Sequence, residues 1–332
     1  MAQPSTLTAP LTFVPRYKEV IWGGSLIPRL KGDTVADDAR VGESWEISAM
    51  PGHESVVDRG PLRGLTLPEL CGRYGEALLG RRVVERYGCR FPLLVKLIDA
   101  HNDLSVQVHP DDATARRLSG PGARGKSEMW YVIDTLPGAR IYSGFKDVTD
   151  EDAFMRHVAD RTLLDLVSAH DSAPGQFYFL PAGTIHCIGT GNLLAEIQQE
   201  SDITYRLYDF DRRDADGNLR QLHIEQGRQS VDFGTPSWRN APTARVYDRS
   251  TEGAVSCDSF TADYIDLTDR MPVTVDNDGE SFHILMAVDG MLTVGVPGGE
   301  TLTLGMGHTA LMPASVARYA LSGPAKALKI RL

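Results

Sequence analysis

Apolar residues in this chain come in short runs, a few positions long, with turn-forming residues between them. Runs of that kind, bounded by Gly, Pro, Asn, Asp and Ser, predict strands. The segments that stand out are Phe91–Ile98, Leu104–His109, Glu128–Ile133, Gln176–Leu180, Leu193–Gln198 and Thr204–Tyr208. A thinner stretch, Gly227 to Pro242, shows little periodicity and is expected to be a linker. Beyond it the segments FTADYIDL, FHILMAVDG, MLTVGV, TLTLG, HTALMP and ALKIRL follow one another, strand after strand. The expected organisation is a first unit over residues 1–235 and a second over 243–332.

Two stretches break the β pattern. From Thr66 to Tyr87, leucines and valines recur at helical spacing, and Thr66 with Glu69 three residues on makes a capping box. From Thr149 to His170 an acidic start leads into Phe154, Val158, Leu163, Leu166 and Val167, which predicts one helix or two short ones. Both patches are expected beside the sheets, as cover or insertion.

Composition narrows the classes. The 332 residues suit two domains, or one with an insertion, and 42% hydrophobic with 23% charged residues is ordinary for a globular chain. The 34 Lys and Arg against 44 Asp and Glu leave a net charge of −10, which argues against a nucleic-acid partner. No apolar run is long enough for a membrane helix, and the start MAQPSTLTAPLTF does not read as a signal peptide. Cys71, Cys89, Cys187 and Cys257 form no CxxC pair. Free thiols in a reducing, cytoplasmic setting are the expectation.

The chemistry gathers in four segments. In Leu104–Asp112 a strand would put Ser105, Gln107 and His109 on one face, backed by Leu104, Val106 and Val108. In Gly125–Asp134, Glu128, Trp130 and Val132 share a face, with Lys126 two positions earlier. A glutamate opening an aromatic strand sits at a rim or meets a cation, because burying it unpaired is costly. In Gly175–His186 the spacing G-x5-P-x-G-x-x-H gives a strand, a Pro-Ala-Gly reversal and a strand opening on His186. It resembles the second conserved motif of the cupin superfamily, whose histidine is a metal ligand. Gln107, His109, Glu128 and His186 together are a two-nitrogen, two-oxygen set that suits zinc and other divalent transition metals. In Leu193–Asp211, a short hairpin would bring Glu196 and Arg206 into one cavity. A surface salt bridge is the plain alternative.

These segments, in this order, resemble the type I phosphomannose isomerases of the shorter bacterial kind. The matching stretches are WGG (22–24), GESWEIS (42–48), FPLLVKLIDA (91–100), LSVQVHPDD (104–112), GKSEMWYVID (125–134), the long run 181–212 and the strand-rich tail. The resemblance implies a mainly β fold of two cupin (jelly-roll) barrels in tandem with a small helical cover. It places one zinc ion per chain on Gln107, His109, Glu128 and His186, an active-site arginine at Arg206, an acid/base glutamate at Glu196 and pocket lysines at Lys96 and Lys126. The second barrel keeps the G-x5-P spacing in GHTALMPASVARY (307–319). Ser315 replaces its turn glycine and Arg318 stands where a histidine would be, so no metal is expected there.

The implied reaction moves a proton between C2 and C1 of mannose 6-phosphate and fructose 6-phosphate through an enediol. Glu196, its pKa raised by a dry pocket, is the candidate base, and Arg206 a second positive charge beside the metal. Lys96, Lys126 and Ser105 are candidates for binding the substrate and its phosphate. His101, His157, His170 and His223 are expected to be structural or surface residues, and Trp22 and Trp45 core packing. The expected partner is a small sugar phosphate, with no nucleic acid or membrane, for a monomer or weak homodimer. Competing expectations are another metal cupin, such as an oxygenase or a different isomerase, and a sugar-binding cupin without turnover. Gln107 argues against the first, and Glu196 with Arg206 against the second.

Overall fold

A computed structural model describes residues 7–34, 36, 39–213, 216–234, 251–269, 271–299 and 301–332. Eleven strands come first: β1 (Arg16–Gly24), β2 (Val41–Ile47), β3 (Leu93–Ala100), β4 (Val106–Val108), β5 (Glu128–Thr135), β6 (Arg140–Phe145), β7 (Val167–Asp171), β8 (Phe177–Leu180), β9 (His186–Ile188), β10 (Asn192–Gln199) and β11 (Tyr205–Tyr208). Eight follow: β12 (Thr251–Ser256), β13 (Thr261–Asp266), β14 (Val273–Asp276), β15 (His283–Gly295), β16 (Thr301–Gly305), β17 (Thr309–Met312), β18 (Arg318–Ser322) and β19 (Ala325–Arg331). The first set makes a six-stranded sheet, β1-β2-β3-β10-β5-β8, and a five-stranded one, β11-β4-β9-β6-β7. The second set makes an eight-stranded sheet, β12-β13-β19-β15-β18-β14, with β16 and β17 added on β15. The mainly β architecture is as expected.

Period-two alternation decides which side chains meet. On β3, Leu93, Val95 and Leu97 join a large core shared with Phe282, Ile284, Met286, Leu328 and Ile330 of the second unit. The intervening Lys96 and Ile98 turn the other way, towards the five-stranded sheet. Burying Lys96 with its carboxylate partners costs several kcal/mol. Leu93, Leu94, Val95, Leu97 and Ile98 are all buried on the same strand. At about 1.5–3 kcal/mol each, they more than offset that cost.

The helical patch at 66–87 is three short helices, α2 (Leu67–Tyr74), α3 (Glu76–Leu79) and α4 (Arg81–Tyr87), which follow α1 (Leu26–Leu30). Gly75 and Gly80, at φ 49° and 91°, break it. The Thr66/Glu69 capping box is present. This patch lies between the units: Phe282 N–H donates to the Leu79 carbonyl, and Arg81 N–H to that of Gly279.

Three segments depart from the sequence reading. Within 149–170 only Glu151–Ala159 is α-helix. Arg161, at positive φ, ends the helix, a single 3-10 turn follows, and Val167–Asp171 becomes β7, paired with β6. The second half is therefore a strand, because an edge of β6 is open to it and Val167 packs on Phe145 and Phe154 in one core. Second, α5 (Asp112–Ser119) precedes α6 (Glu151–Ala159) and has no strong apolar stripe to announce it. Third, Gly227, placed in the linker, lies in α7 (Ile224–Arg228), while residues 235–242 of that linker are outside the described ones.

Candidate active site

The site lies on the face of the six-stranded sheet turned towards the five-stranded one. Register lines it up: Lys96 pairs with Glu196 across β3 and β10, Glu196 with Trp130 and Gln198 with Glu128 across β10 and β5. From the facing sheet, Gln107 on β4 pairs with His186 on β9 and with Arg206 on β11. The Pro-Ala-Gly reversal does what its sequence required: Gly183 takes φ 89°, and His186 opens β9 on the inner side.

Both histidines are oriented by backbone carbonyls. His109 Nδ1 donates to the Ile203 carbonyl at 2.8 Å, and His186 Nδ1 donates to that of Thr184 at 2.9 Å. That tautomer leaves each Nε2 lone pair facing inward. Glu128 stands between them, Oε2 at 3.4 Å from His109 Nε2 and Oε1 at 3.3 Å from His186 Nε2. Gln107 Nε2 donates to His186 Nε2 at 3.2 Å, and Ser105 Oγ donates to Gln107 Oε1 at 3.1 Å. Turned over, the Gln107 amide offers its oxygen to the same point. His109, Glu128 and His186 are the one group of three metal-capable side chains among the described residues, their ligand atoms all within 4.8 Å.

The pocket fits a divalent cation because it is an excess of buried acceptors. His109 Nε2 and Glu128 Oε1 are both buried without a hydrogen bond. Bare acceptors facing one point are costly unless a cation joins them. Burial, first, and the Lys126 charge, second, pull the His109 pKa well below the usual range; burial takes His186 down to about 4. Both rings are therefore neutral ligands at pH 7. Burial lifts Glu128 to about 8, opposed by Lys126 and helped by Glu196.

Beside the cluster runs a row of alternating charge. Lys126 Nζ lies 2.8 Å from Glu128 Oε2 and 3.7 Å from Glu196 Oε1, and Lys96 Nζ lies 3.3 Å from Glu196 Oε2 and 3.8 Å from Glu43. Trp130 Nε1 donates to Glu196 Oε1 at 3.1 Å. The sequence expectation that burial raises the Glu196 pKa is reversed. Burial does push it up, but Lys126 and Lys96 outweigh that, and the carboxyl sits well below its ordinary value. Lys96 shows the mirror effect: burial lowers its pKa, and Glu43 with Glu196 raise it above the ordinary lysine value.

Arg206 and Glu196 do not touch. Arg206 Nη1 donates to the Gln221 carbonyl at 2.9 Å, and its Nε is buried without a partner. Beside it Arg212 and Arg220 converge on one carboxylate, Asp209 Oδ1, Arg220 Nη1 at 3.2 Å. Two guanidiniums thus share one carboxylate, with the Arg206 charge close by. Burial, then the Arg220 charge, lower the Arg206 pKa, and burial lowers that of Arg220. Phe210 and Asp211, between Asp209 and Arg212, both lie at positive φ. Consecutive left-handed non-glycine residues are strained, and such strain gathers at functional sites.

The sequence missed Arg212, Arg220, Glu43 and the role of Trp45. Arg212 closes the matched stretch 181–212, and Glu43 and Trp45 lie in GESWEIS. Those were the available signals. Trp45 is buried as expected, but on the site face, where its Nε1 donates to Glu43 Oε2 at 2.6 Å. His223 is structural: its Nδ1 accepts from Arg206 N–H.

Comparison with known proteins agrees across the chain. Residues 11–129 match the family model of the phosphomannose isomerase type I catalytic domain. The mannose-6-phosphate isomerase ManA of Bacillus subtilis is 39% identical over 256 residues, 76% of this chain and 78% of that protein. The mannose-6-phosphate isomerase of Streptococcus mutans is 33% identical over 333 residues, 96% of each chain. Among solved structures, the mannose 6-phosphate isomerase from Bacillus subtilis superposes with a TM-score of 0.83 at 29% identity, over 98% of this chain and 100% of that one.

Proposed function

Because the chain belongs to the type I phosphomannose isomerases, we propose that it interconverts mannose 6-phosphate and fructose 6-phosphate by proton transfer through an enediol, with zinc held by Gln107, His109, Glu128 and His186. The observation that carries the reading is the buried row Lys96–Glu196–Lys126–Glu128 ending against two neutral imidazoles. It combines an ionised carboxylate, fixed ammonium donors and a ligand set in one dry pocket.

Bound there, a divalent ion supplies Lewis-acid polarisation of the sugar carbonyl. The chain's own residues do the rest. Glu196 is held as a carboxylate by the Lys126 and Lys96 charges on either side of it. It accepts the proton from C2 and returns it to C1. The C2–H electron pair becomes the C1–C2 double bond of the enediol, O1 gains a proton, and O2 gives one up. Lys96 and Lys126 are the nearest carriers, and their ammoniums hold the two oxygens as charge develops on them. With the Gln107 amide turned over, the Ser105 hydroxyl would accept from its N–H and keep the amide oxygen turned towards the ligand set.

The phosphate goes to the arginines. Lys96 and Lys126 are already matched by Glu43, Glu196 and Glu128, whereas Arg206, Arg212 and Arg220 outnumber Asp209 by two. A phosphate monoester near pH 7 carries a charge of about −1.5 to −2, which complements that excess.

The test is isomerisation of mannose 6-phosphate by purified protein, before and after chelation, with zinc, manganese and cobalt added back separately. Activity lost to chelator and restored best by zinc is the expected result. A folded, fully metallated protein without turnover would overturn the reading.

A further inference from the structure

Lys18 is a cation of the site face that no role has yet absorbed. It lies on β1, the edge strand, and pairs in register with Glu43 on β2. The register slips immediately after it: Glu19 pairs with Val41, so Gly42 is the extra residue of a bulge. A Cβ at Gly42 would lie 2.3 Å from a Val20 methyl, so only glycine fits there. Bulges re-aim side chains and are over-represented beside active sites. Here the bulge directs Lys18 back over the sheet, its Nζ 3.3 Å from the centroid of the Trp45 ring.

Its situation differs from that of its neighbours. Lys96 and Lys126 have carboxylates within ion-pair distance. The acidic groups that bear on Lys18 are Asp202 and Glu43, and neither lies within 4.0 Å among the described residues. Lys96 Nζ lies 5.1 Å from the same Trp45 centroid, so that ring joins Lys18 to the row of the site. Trp45 is three strands from Glu128, about 14 Å along the sheet at ordinary spacing, less across its curl. A hexose 6-phosphate with C1 and C2 at Glu196, extended away from Glu128, would carry its anion past Lys96 towards Lys18.

We propose that Lys18 is a specificity-determining residue that contacts the substrate's phosphate from the edge strand, so that the enzyme selects phosphorylated over unphosphorylated hexose. This rests on the isomerase reading of the site. The aromatic face holds the ammonium in place without an anionic partner, so the N–H groups turned away from the ring are ready for an incoming anion.

The test compares wild type, Lys18→Met and Lys18→Arg in two assays. Calorimetric titration with inorganic phosphate needs no turnover. Lys18→Met should weaken phosphate binding roughly tenfold or more, and Lys18→Arg should restore most of it. In kinetics, Lys18→Met should raise KM for mannose 6-phosphate more than it lowers kcat. Selectivity for mannose 6-phosphate over mannose should fall by a similar factor. Equal losses on both sugars, or phosphate affinity unchanged in Lys18→Met, would overturn the proposal. If phosphate binding depends on Lys18 and no variant isomerises the sugar, the isomerase reading fails and the anion contact stands. If turnover is full and phosphate binding ignores Lys18, the reverse holds.

Discussion

The two β units carry the same row of interior positions and fill it in opposite ways. In the first, the central strand β10 sets Glu196 opposite Lys96 on one side and Trp130 on the other. In the second, the central strand β19 sets Lys329 opposite Asp263 and Leu285. The acid–base pair is inverted in sign. Where Glu128 opens β5, His283 opens β15. The difference lies in what is left over. The first unit keeps acceptors that meet neither a hydrogen-bond donor nor a lysine or arginine: His109 Nε2 and Glu128 Oε1. In the second, His283 Nδ1 and the Tyr319 hydroxyl share a hydrogen bond at 2.8 Å, and Asp263 holds Lys329 at 3.0 Å and Arg331 at 3.6 Å. Arg318, expected where a ligand histidine would be, is exposed and pairs with Asp276, while Tyr319 turns inward. Behind this polar end the second unit closes with Leu285, Ala287, Val294, Leu304 and Leu321. An interior row becomes a site when its hydrogen-bonding capacity is unbalanced, and a plug when it is balanced.

The largest effect should come from exchanging Glu196. Glu196→Gln keeps the shape and the Trp130 contact but removes the proton acceptor. A kcat lower by about 10²–10⁴-fold is expected, with metal still stoichiometric by elemental analysis. A kcat within fivefold of wild type would show that Glu196 is no more catalytic than its counterpart. Lys329→Met is that counterpart's test. It removes the lysine from the buried Asp263 carboxylate, and breaking a buried pair costs about 3–5 kcal/mol. Urea unfolding should register that loss while kcat stays near wild type. A large fall in kcat at unchanged stability would mean the second unit is not a plug.

The sequence shows the candidate metal set and hides the candidate anion set, and the reason is local against distant structure. Gln107 and His109 are two apart on one strand, and His186 follows a glycine reversal, so alternation and turn chemistry place them. Arg220 joins Arg212 only because both fold onto Asp209 through a strained turn at Phe210 and Asp211, which no periodicity announces. The Glu196 pKa was misjudged for a related reason. Burial is legible in an apolar strand, but the two lysines that outweigh it come from β3 and from the segment leading into β5. The 167–171 strand was misread because its residues suit a helix, and only the free edge of β6 decides otherwise.

Acid should separate the units next. Burial first, then Lys329 and Arg331, take the His283 pKa down to about 4, while Asp263 and Asp278 oppose them. The unfolded chain binds that proton near pH 6.5 and the folded chain only near 4. The folded state is favoured above pH 6.5, and the advantage is lost as pH falls from 6.5 to 4, about 3 kcal/mol in all. His283→Gln should flatten the stability profile over that window relative to wild type, measured by urea unfolding at pH 7 and 4.5. Parallel profiles would place the buried proton elsewhere.

The smallest effect asks whether the two units are one folding unit at all. The helical patch α2–α4 is bonded to both. Leu67 N–H donates to the Ser55 carbonyl in the first, and Ala314 and Ser315 N–H donate to Leu78 and Ala77 carbonyls from the second. Phe91 and Phe282 stack at 4.6 Å beside it. Thr66 caps α2 by accepting from Glu69 N–H, while the Glu69 carboxylate accepts from Thr66 N–H at 2.8 Å. Thr66→Ala should cost about 1 kcal/mol. If the shared core makes folding cooperative, the whole urea transition shifts by that amount, followed alike by tryptophan fluorescence, whose four indoles lie at 22, 45, 130 and 238, and by far-ultraviolet circular dichroism. If the units fold separately, fluorescence shifts and circular dichroism splits into two steps. A split would mean that the balanced second unit stands without the first, and that its contribution to the site is a surface to pack on.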